Sequence, residues 1–220
     1  MKGVMNLNYY FGRKRRIDYR YRLNKRTNEV IQVIKKYYNK PINKILDLGT
    51  ADGLMLGKIK DHYPNTKCIG IEYSKELIDA NKDKRIKIIQ GDVQNISLSD
   101  NVFDIVIATA IIEHINNPDK LISEAYRVLK PNGLLILTTP VPFFEKISDL
   151  IGGIPKEVHQ LTFNLVTLKK LLNKFGFKIS LSKKFMLTPI GFPFENFIEN
   201  FLNKIKLDLL LLNQLIVGEK

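Results

Sequence analysis

Asp47-Leu48-Gly49-Thr50-Ala51-Asp52-Gly53 places two carboxylates and two glycines within seven residues, with no Lys or Arg among them. It follows the apolar pair Ile45-Leu46 and precedes a helix-like run, Leu54 to Lys60. Open α/β sheets bind ligands where strands end in such turns. Glycine allows positive φ and lets a ligand lie against the main chain. Charge then narrows the ligand. Phosphate loops use backbone N–H groups and often a lysine. Two acids here would repel a pyrophosphate and attract a ligand carrying an ammonium and a sulfonium. A short match of this kind is also what an ordinary strand-to-helix turn looks like.

Further acids follow at strand ends. Glu72, in Gly70-Ile71-Glu72-Tyr73, stands 25 residues after Asp47. That is near the spacing at which an acid bonds a ribose diol in nucleoside-binding folds; a helix-capping surface Glu is the plainer alternative. In Gln90-Gly91-Asp92-Val93, an acid can accept from an exocyclic adenine amine while Val93 covers the base. A turn-forming Asp is the alternative there.

These residues need a scaffold, and the chain supplies a rhythm. Strands are predicted at 44–48, 67–71, 86–90, 103–108 and 133–138, with helices near 54–60, 75–82 and 117–129. Such βαβ alternation means a parallel sheet with helices on both faces. Asp104-Ile105-Val106-Ile107-Ala108 is nearly continuous in apolar residues, as burial on both faces requires. An apolar period predicts a helix over 24–38, ended by Pro41. A helix over 165–175, a strand at 177–181, a helix over 194–212 and a closing strand at 214–217 complete the chain. The expected fold is α/β: a doubly wound, mostly parallel, seven-stranded sheet. Residues 1–40 read as a basic helical extension and 41–220 as the ligand-binding domain. Segments 140–160 and 185–212 read as lids on the acceptor side. Phe192, Phe194, Phe197 and Phe201 would then form an apolar wall in a packed insert.

The 220 residues suit one domain with an appended segment. The single cysteine, Cys68, rules out a disulfide framework or a cysteine zinc site. No clustered Asp/Glu/His spacing suggests a metal. No apolar run reaches the roughly 20 residues needed to span a bilayer, and no signal-peptide-like stretch opens the chain. A soluble, cytoplasmic protein is expected. The net charge is +13, and residues 1–40 hold 12 Lys/Arg against Asp18 and Glu29. Arg13 to Arg16, Arg20, Arg22, Lys25 and Arg26 are interleaved with tyrosines. Such a patch suits nucleic acid, an anionic membrane surface or a phosphorylated substrate. A solvated amphipathic helix with its tyrosines packed inward is the plainer alternative.

The fourth strand runs into Ala108-Thr109-Ala110-Ile111-Ile112-Glu113-His114. Glu124-Ala125-Tyr126-Arg127-Val128-Leu129-Lys130-Pro131-Asn132-Gly133-Leu134-Leu135-Ile136-Leu137-Thr138-Thr139-Pro140 follows. With this run, and with His159-Gln160-Leu161-Thr162-Phe163 ahead of Leu168 to Phe177, the chain resembles the class I S-adenosylmethionine-dependent methyltransferases. The subgroup is the one that includes ubiquinone-biosynthesis-type enzymes, and the resemblance covers about residues 40 to 180. It implies S-adenosylmethionine as cofactor, a ligand that carries both an ammonium and a sulfonium. It implies that Asp47, Gly49, Thr50, Ala51 and Gly53 line the methionine end. Glu72, followed by Tyr73, would bind the ribose, Asp92 and Val93 the adenine, and Thr109 would lie under the methyl group. Ala51 departs from the family, which usually has a second glycine there; Asp52 stands where a small residue is common. His114 and His159 are the candidate general bases for a hydroxyl acceptor, or else a packing group and a loop-ordering group. The implied acceptor is a small molecule, lipid or glycan. The basic N-terminus keeps an RNA or tRNA acceptor open, with peripheral membrane contact, and a non-catalytic cofactor-binding protein is the remaining reading. The turn lacks the G-x-G-x-x-G spacing of a dinucleotide dehydrogenase.

Overall fold

The computed structural model describes residues 12, 15–142, 161–205 and 207–220. Its elements run α1 (Ile17–Tyr37), β1 (Lys44–Leu48), α2 (Leu54–His62), β2 (Lys67–Glu72), α3 (Lys75–Asp79), β3 (Lys87–Gln90) and β4 (Phe103–Thr109). After a 3-10 turn at Ile112–His114 come α4 (Pro118–Val128), β5 (Leu129–Pro140), α5 (Leu165–Lys174) and β6 (Lys178–Phe185). The chain closes with α6 (Glu195–Lys204), a 3-10 turn at Asp208–Leu210 and β7 (Asn213–Glu219).

The described residues form one seven-stranded sheet in the order β3-β2-β1-β4-β5-β7-β6. Pairings from β3 across to β5 are parallel, and β7 runs antiparallel to both its neighbours. This is the doubly wound sheet expected. Its two faces separate by the period of two. Leu46, Leu48, Val106, Ala108, Leu135 and Leu137 pack against α4 and α5. Ile45, Ile105, Ile107, Leu134 and Ile136 pack against α1 and α2.

Several boundaries differ from expectation. Helix α1 begins at Ile17, seven residues earlier than the apolar period predicts. The Arg-Tyr run is itself helical: Arg16 and Arg22 stack on Tyr19 at 4.6 and 4.7 Å and both pair with Asp18. The helix stops at Tyr37, before Pro41. Val30, Ile31, Val33 and Ile34 on α1 are core residues, each worth about 1.5–3 kcal/mol of burial. Strand β5 starts at Leu129 rather than 133, because Lys130 to Gly133 bulge out between two registered stretches. Asn132 takes φ 61 there. Strand β6 extends to Phe185, past the expected 181. Lys183 and Lys184, which look like a solvated end, pair with Glu29 at 2.6 Å and Asp208 at 3.2 Å. The single helix expected over 194–212 is α6 followed by the 3-10 turn.

Helix α6 is turned opposite to the inward-facing wall expected of its phenylalanines. Phe194, Phe197 and Phe201 are 81, 73 and 54% exposed, while Glu195 and Glu199 are buried. Glu199 accepts from Lys25 Nζ at 2.8 Å and from the N–H of Met186 at 2.7 Å. Glu195 accepts from the N–H groups of Leu187 and Thr188 and from the Tyr21 hydroxyl. Bonds to 186–188 and α1 decide the orientation, because a buried carboxylate is costly unless paired.

At the opposite edge of the sheet, Asp104 is the second residue of β4. It accepts from Lys130 Nζ (2.6 Å), the N–H groups of Lys44 and Asn43 (2.8 and 2.9 Å) and the Tyr38 hydroxyl (3.1 Å). Burial pushes its carboxyl up, but the hydrogen bonds from Lys130, Lys44 and Asn43 outweigh it and leave it below the usual range. Asp104→Asn is expected to lower stability by about 2 kcal/mol at neutral pH. The depressed value stabilises the fold above the unfolded carboxyl pKa of about 4, and this is lost as pH falls through the folded value. Urea unfolding across pH should show that acid step in the parent and a smaller one in the variant.

Candidate active site

The chain order reverses direction between β1 and β4, and open sheets bind ligands outside the strand ends at such a switch point. Asp47 lies in register with Ile107 of β4 and Gly70 of β2, so the acidic turn and the end of β4 share one edge. The turn is built from left-handed residues: Gly49, Ala51 and Gly53 have φ 72, 54 and 77. Gly49 also lies so close under Ile111 that a Cβ would come within 2.8 Å of Ile111 Cδ1. The N–H groups of Gly49 and Thr50 both donate to Ile71 O, tying the turn to β2. Thr50 packs its side chain over Gly70, where a Cβ would collide with it.

Ala51 adopts the left-handed φ of 54 that favours glycine. A left-handed φ costs a non-glycine residue about 1–2 kcal/mol, and glycine returns about 0.5–1 kcal/mol of that as chain entropy. Ala51→Gly is therefore expected to stabilise the protein by about 0.5–1 kcal/mol, read by thermal unfolding.

Three carboxylates are buried at this turn: Asp47, Asp52 and Glu72, at 2, 4 and 8% exposure. Glu72 ends β2 and grips backbone on both sides. Its Oε2 accepts from Ala51 N–H at 2.9 Å, and its Oε1 from Tyr73 and Ser74 N–H, each at 2.9 Å. A carboxylate offers about four lone-pair sites, so roughly one remains for an incoming hydroxyl. Tyr73 beside it is half exposed. Gln90 of β3 lies in register with Glu72, which brings Asp92 and Val93 to the same edge. Asp92 accepts from Gln94 N–H at 2.8 Å, closing its own turn, and Val93 is buried. Thr109 ends β4 half-buried, its hydroxyl 3.6 Å from Met55 Sδ.

His114 is half-buried in the 3-10 turn after β4. His159 lies outside the described residues. One candidate was not assigned from sequence: Glu113, 1% exposed, accepts from the Thr139 hydroxyl at 3.0 Å. Its only signal is an acid inside an apolar run after a strand. Among the described residues no group of three or more His, Cys, Asp or Glu could hold a metal.

A family model described as a methyltransferase domain matches residues 46–137. The demethylmenaquinone methyltransferase of Staphylococcus saprophyticus is 30% identical over 176 residues, covering 66% of this chain and 75% of that protein. The chain belongs to the class I S-adenosylmethionine-dependent methyltransferases. Phosphoethanolamine N-methyltransferase 2 of Caenorhabditis elegans is 28% identical over 158 residues. That match covers 68% of this chain and 36% of the nematode protein, so the chain spans about a third of that relative. A SAM-dependent methyltransferase from Archaeoglobus fulgidus shares the fold at 19% identity, with a TM-score of 0.67 over 98% of this chain and 100% of that one.

The cofactor of this methyltransferase family is S-adenosylmethionine, and the turn fits it. Carboxylates accept hydrogen bonds and carry negative charge. The ligand brings an ammonium, a sulfonium and hydroxyls. No Lys or Arg stands in residues 47–53 to compete.

Proposed function

We propose that this methyltransferase acts on a small-molecule acceptor at the carboxyl edge of β1 and β4. The three buried carboxylates around the left-handed turn carry the reading. Asp47, Gly49, Thr50, Ala51 and Gly53 hold the methionine end of the cofactor. Glu72 takes a ribose hydroxyl on its remaining lone pair, with Tyr73 alongside, and Asp92 and Val93 hold the adenine. When bound, S-adenosylmethionine supplies a methyl group already activated on sulfur. The chain's own task is then chiefly placement, holding the acceptor in line at about 3–3.5 Å. Thr109 borders that position. For a hydroxyl acceptor, His114 or His159 takes the proton.

The two relatives described above are methyltransferases of small acceptors, demethylmenaquinone and phosphoethanolamine. A lipid or glycan belongs to the same reading. The single cysteine is buried, and burial pushes its thiol up to about 11, which suits a reducing cytoplasm. No helix among the described residues is long and apolar enough to cross a membrane. The test is transfer of labelled methyl from S-adenosylmethionine into cell extract, followed by fractionation. Label in small organic-soluble or sugar fractions supports the reading; label confined to RNA overturns it.

A further inference from the structure

Helix α6 and its flanks expose an apolar face. Phe194, Phe197, Phe201 and Ile205 follow one another at helical spacing on one side of α6. Ile190, Phe192, Leu207, Leu209 and Leu210 flank it, and all nine side chains are exposed. Soluble proteins rarely leave so many large apolar side chains together in water, and such patches mark interaction sites.

The polar residues around the face indicate what covers it. Segment 190–210 has three acids. Glu195 and Glu199 point inward to backbone N–H groups, Tyr21 and Lys25, and Asp208 is paired with Lys184. The outward residues of α6 are therefore Phe, Asn, Lys204 and Ile205. Cations come from the neighbouring helix. Tyr21 on α1 reaches Glu195 and lies against Gly191, where a Cβ would collide with its ring. Exposed Ile17 lies one turn before Tyr21 on the same side of α1. Exposed Arg15 and Arg16 immediately precede α1 and exposed Arg20 lies in its first turn, against the single acid Asp18.

We infer that this face docks on an anionic lipid bilayer, with α6 lying in the interface and the arginines at the start of α1 on the headgroups. Interfacial helices combine an apolar face with cations that meet anionic lipid. Here the two requirements are met by two helices held together through Lys25. The placement also serves the site. Phe185 and Pro140 both register with Asn213, so segment 186–212 projects from the same sheet edge as the acidic turn. The inference rests on the surface alone and does not require that the acceptor be a lipid.

Flotation of the full chain, without cofactor, tests it on phosphatidylcholine vesicles with and without phosphatidylglycerol. The parent should float with the anionic vesicles, less at high salt, and not with phosphatidylcholine alone. Phe197→Glu/Phe201→Glu and Arg15→Glu/Arg20→Glu should each weaken binding at least roughly tenfold with unchanged melting temperature, since these side chains are exposed. Lys120→Glu, on exposed α4 surface, should bind as the parent does. Failure of the parent to float, or flotation indifferent to both double variants, overturns the inference. So does a dimer that Phe197→Glu/Phe201→Glu converts to monomer, which would assign the face to a second copy. Flotation gained only when residues 143–160 are deleted would assign it to a segment of this chain.

Discussion

Glu72→Ala is expected to weaken S-adenosylmethionine binding by about 1.5–3 kcal/mol, roughly ten- to 150-fold. Two losses combine. The ribose hydroxyl loses a charged acceptor. The N–H groups of Ala51, Tyr73 and Ser74 lose the carboxylate that holds the first turn against the end of β2. The second loss also shows without ligand, as a lower melting temperature. Glu72→Gln separates them: its one oxygen serves one side while its NH2 meets a donor on the other, so an intermediate effect is expected. Titration calorimetry of the three proteins, with melting curves of each, reads both. Equal affinity in all three would remove Glu72 from the site.

Lys25→Met is expected to destabilise the protein by about 3–5 kcal/mol, the scale for removing one partner from a buried ion pair. Lys25 lies between Glu29 at 3.9 Å and Glu199 at 2.8 Å and also donates to Asn196. Burial raises Glu199 above the usual carboxyl range although Lys25 pulls it down. Without Lys25, Glu29 keeps Lys183, but Glu199 keeps only backbone N–H groups. Adding Glu199→Gln should recover part of the loss, and a double-mutant cycle by urea unfolding measures the coupling. Additive losses would mean that the pair does not hold α1 to α6.

The order of strands and the position of the acidic turn were legible because each is local. Apolar runs such as Ile105 to Ala108 and a glycine turn after Ile45-Leu46 are written in adjacent residues. The left-handed Ala51 was legible only as a departure from the family pattern. What was not legible depends on distant partners. Phe197 and Phe201 read locally as an inward stripe. Glu199 is drawn inside by Lys25, 174 residues away, which no local period reports. Glu72 was read as facing a ligand, yet most of its acceptor capacity is used on the backbone that forms the turn. Residues 1–40 read as helical, but the apolar period alone starts the helix at 24; the earlier start at Ile17 rests on Arg16 and Arg22 stacked on Tyr19 and paired with Asp18, which no apolar period reports.

Titration calorimetry with S-adenosylmethionine tests the central claim most directly. Saturable binding is expected in the low-micromolar range, about −8 kcal/mol, with a matching rise in melting temperature and weaker binding to Glu72→Ala. Neither heat nor a thermal shift, with the cofactor or its demethylated product, would contradict a cofactor site at the acidic turn.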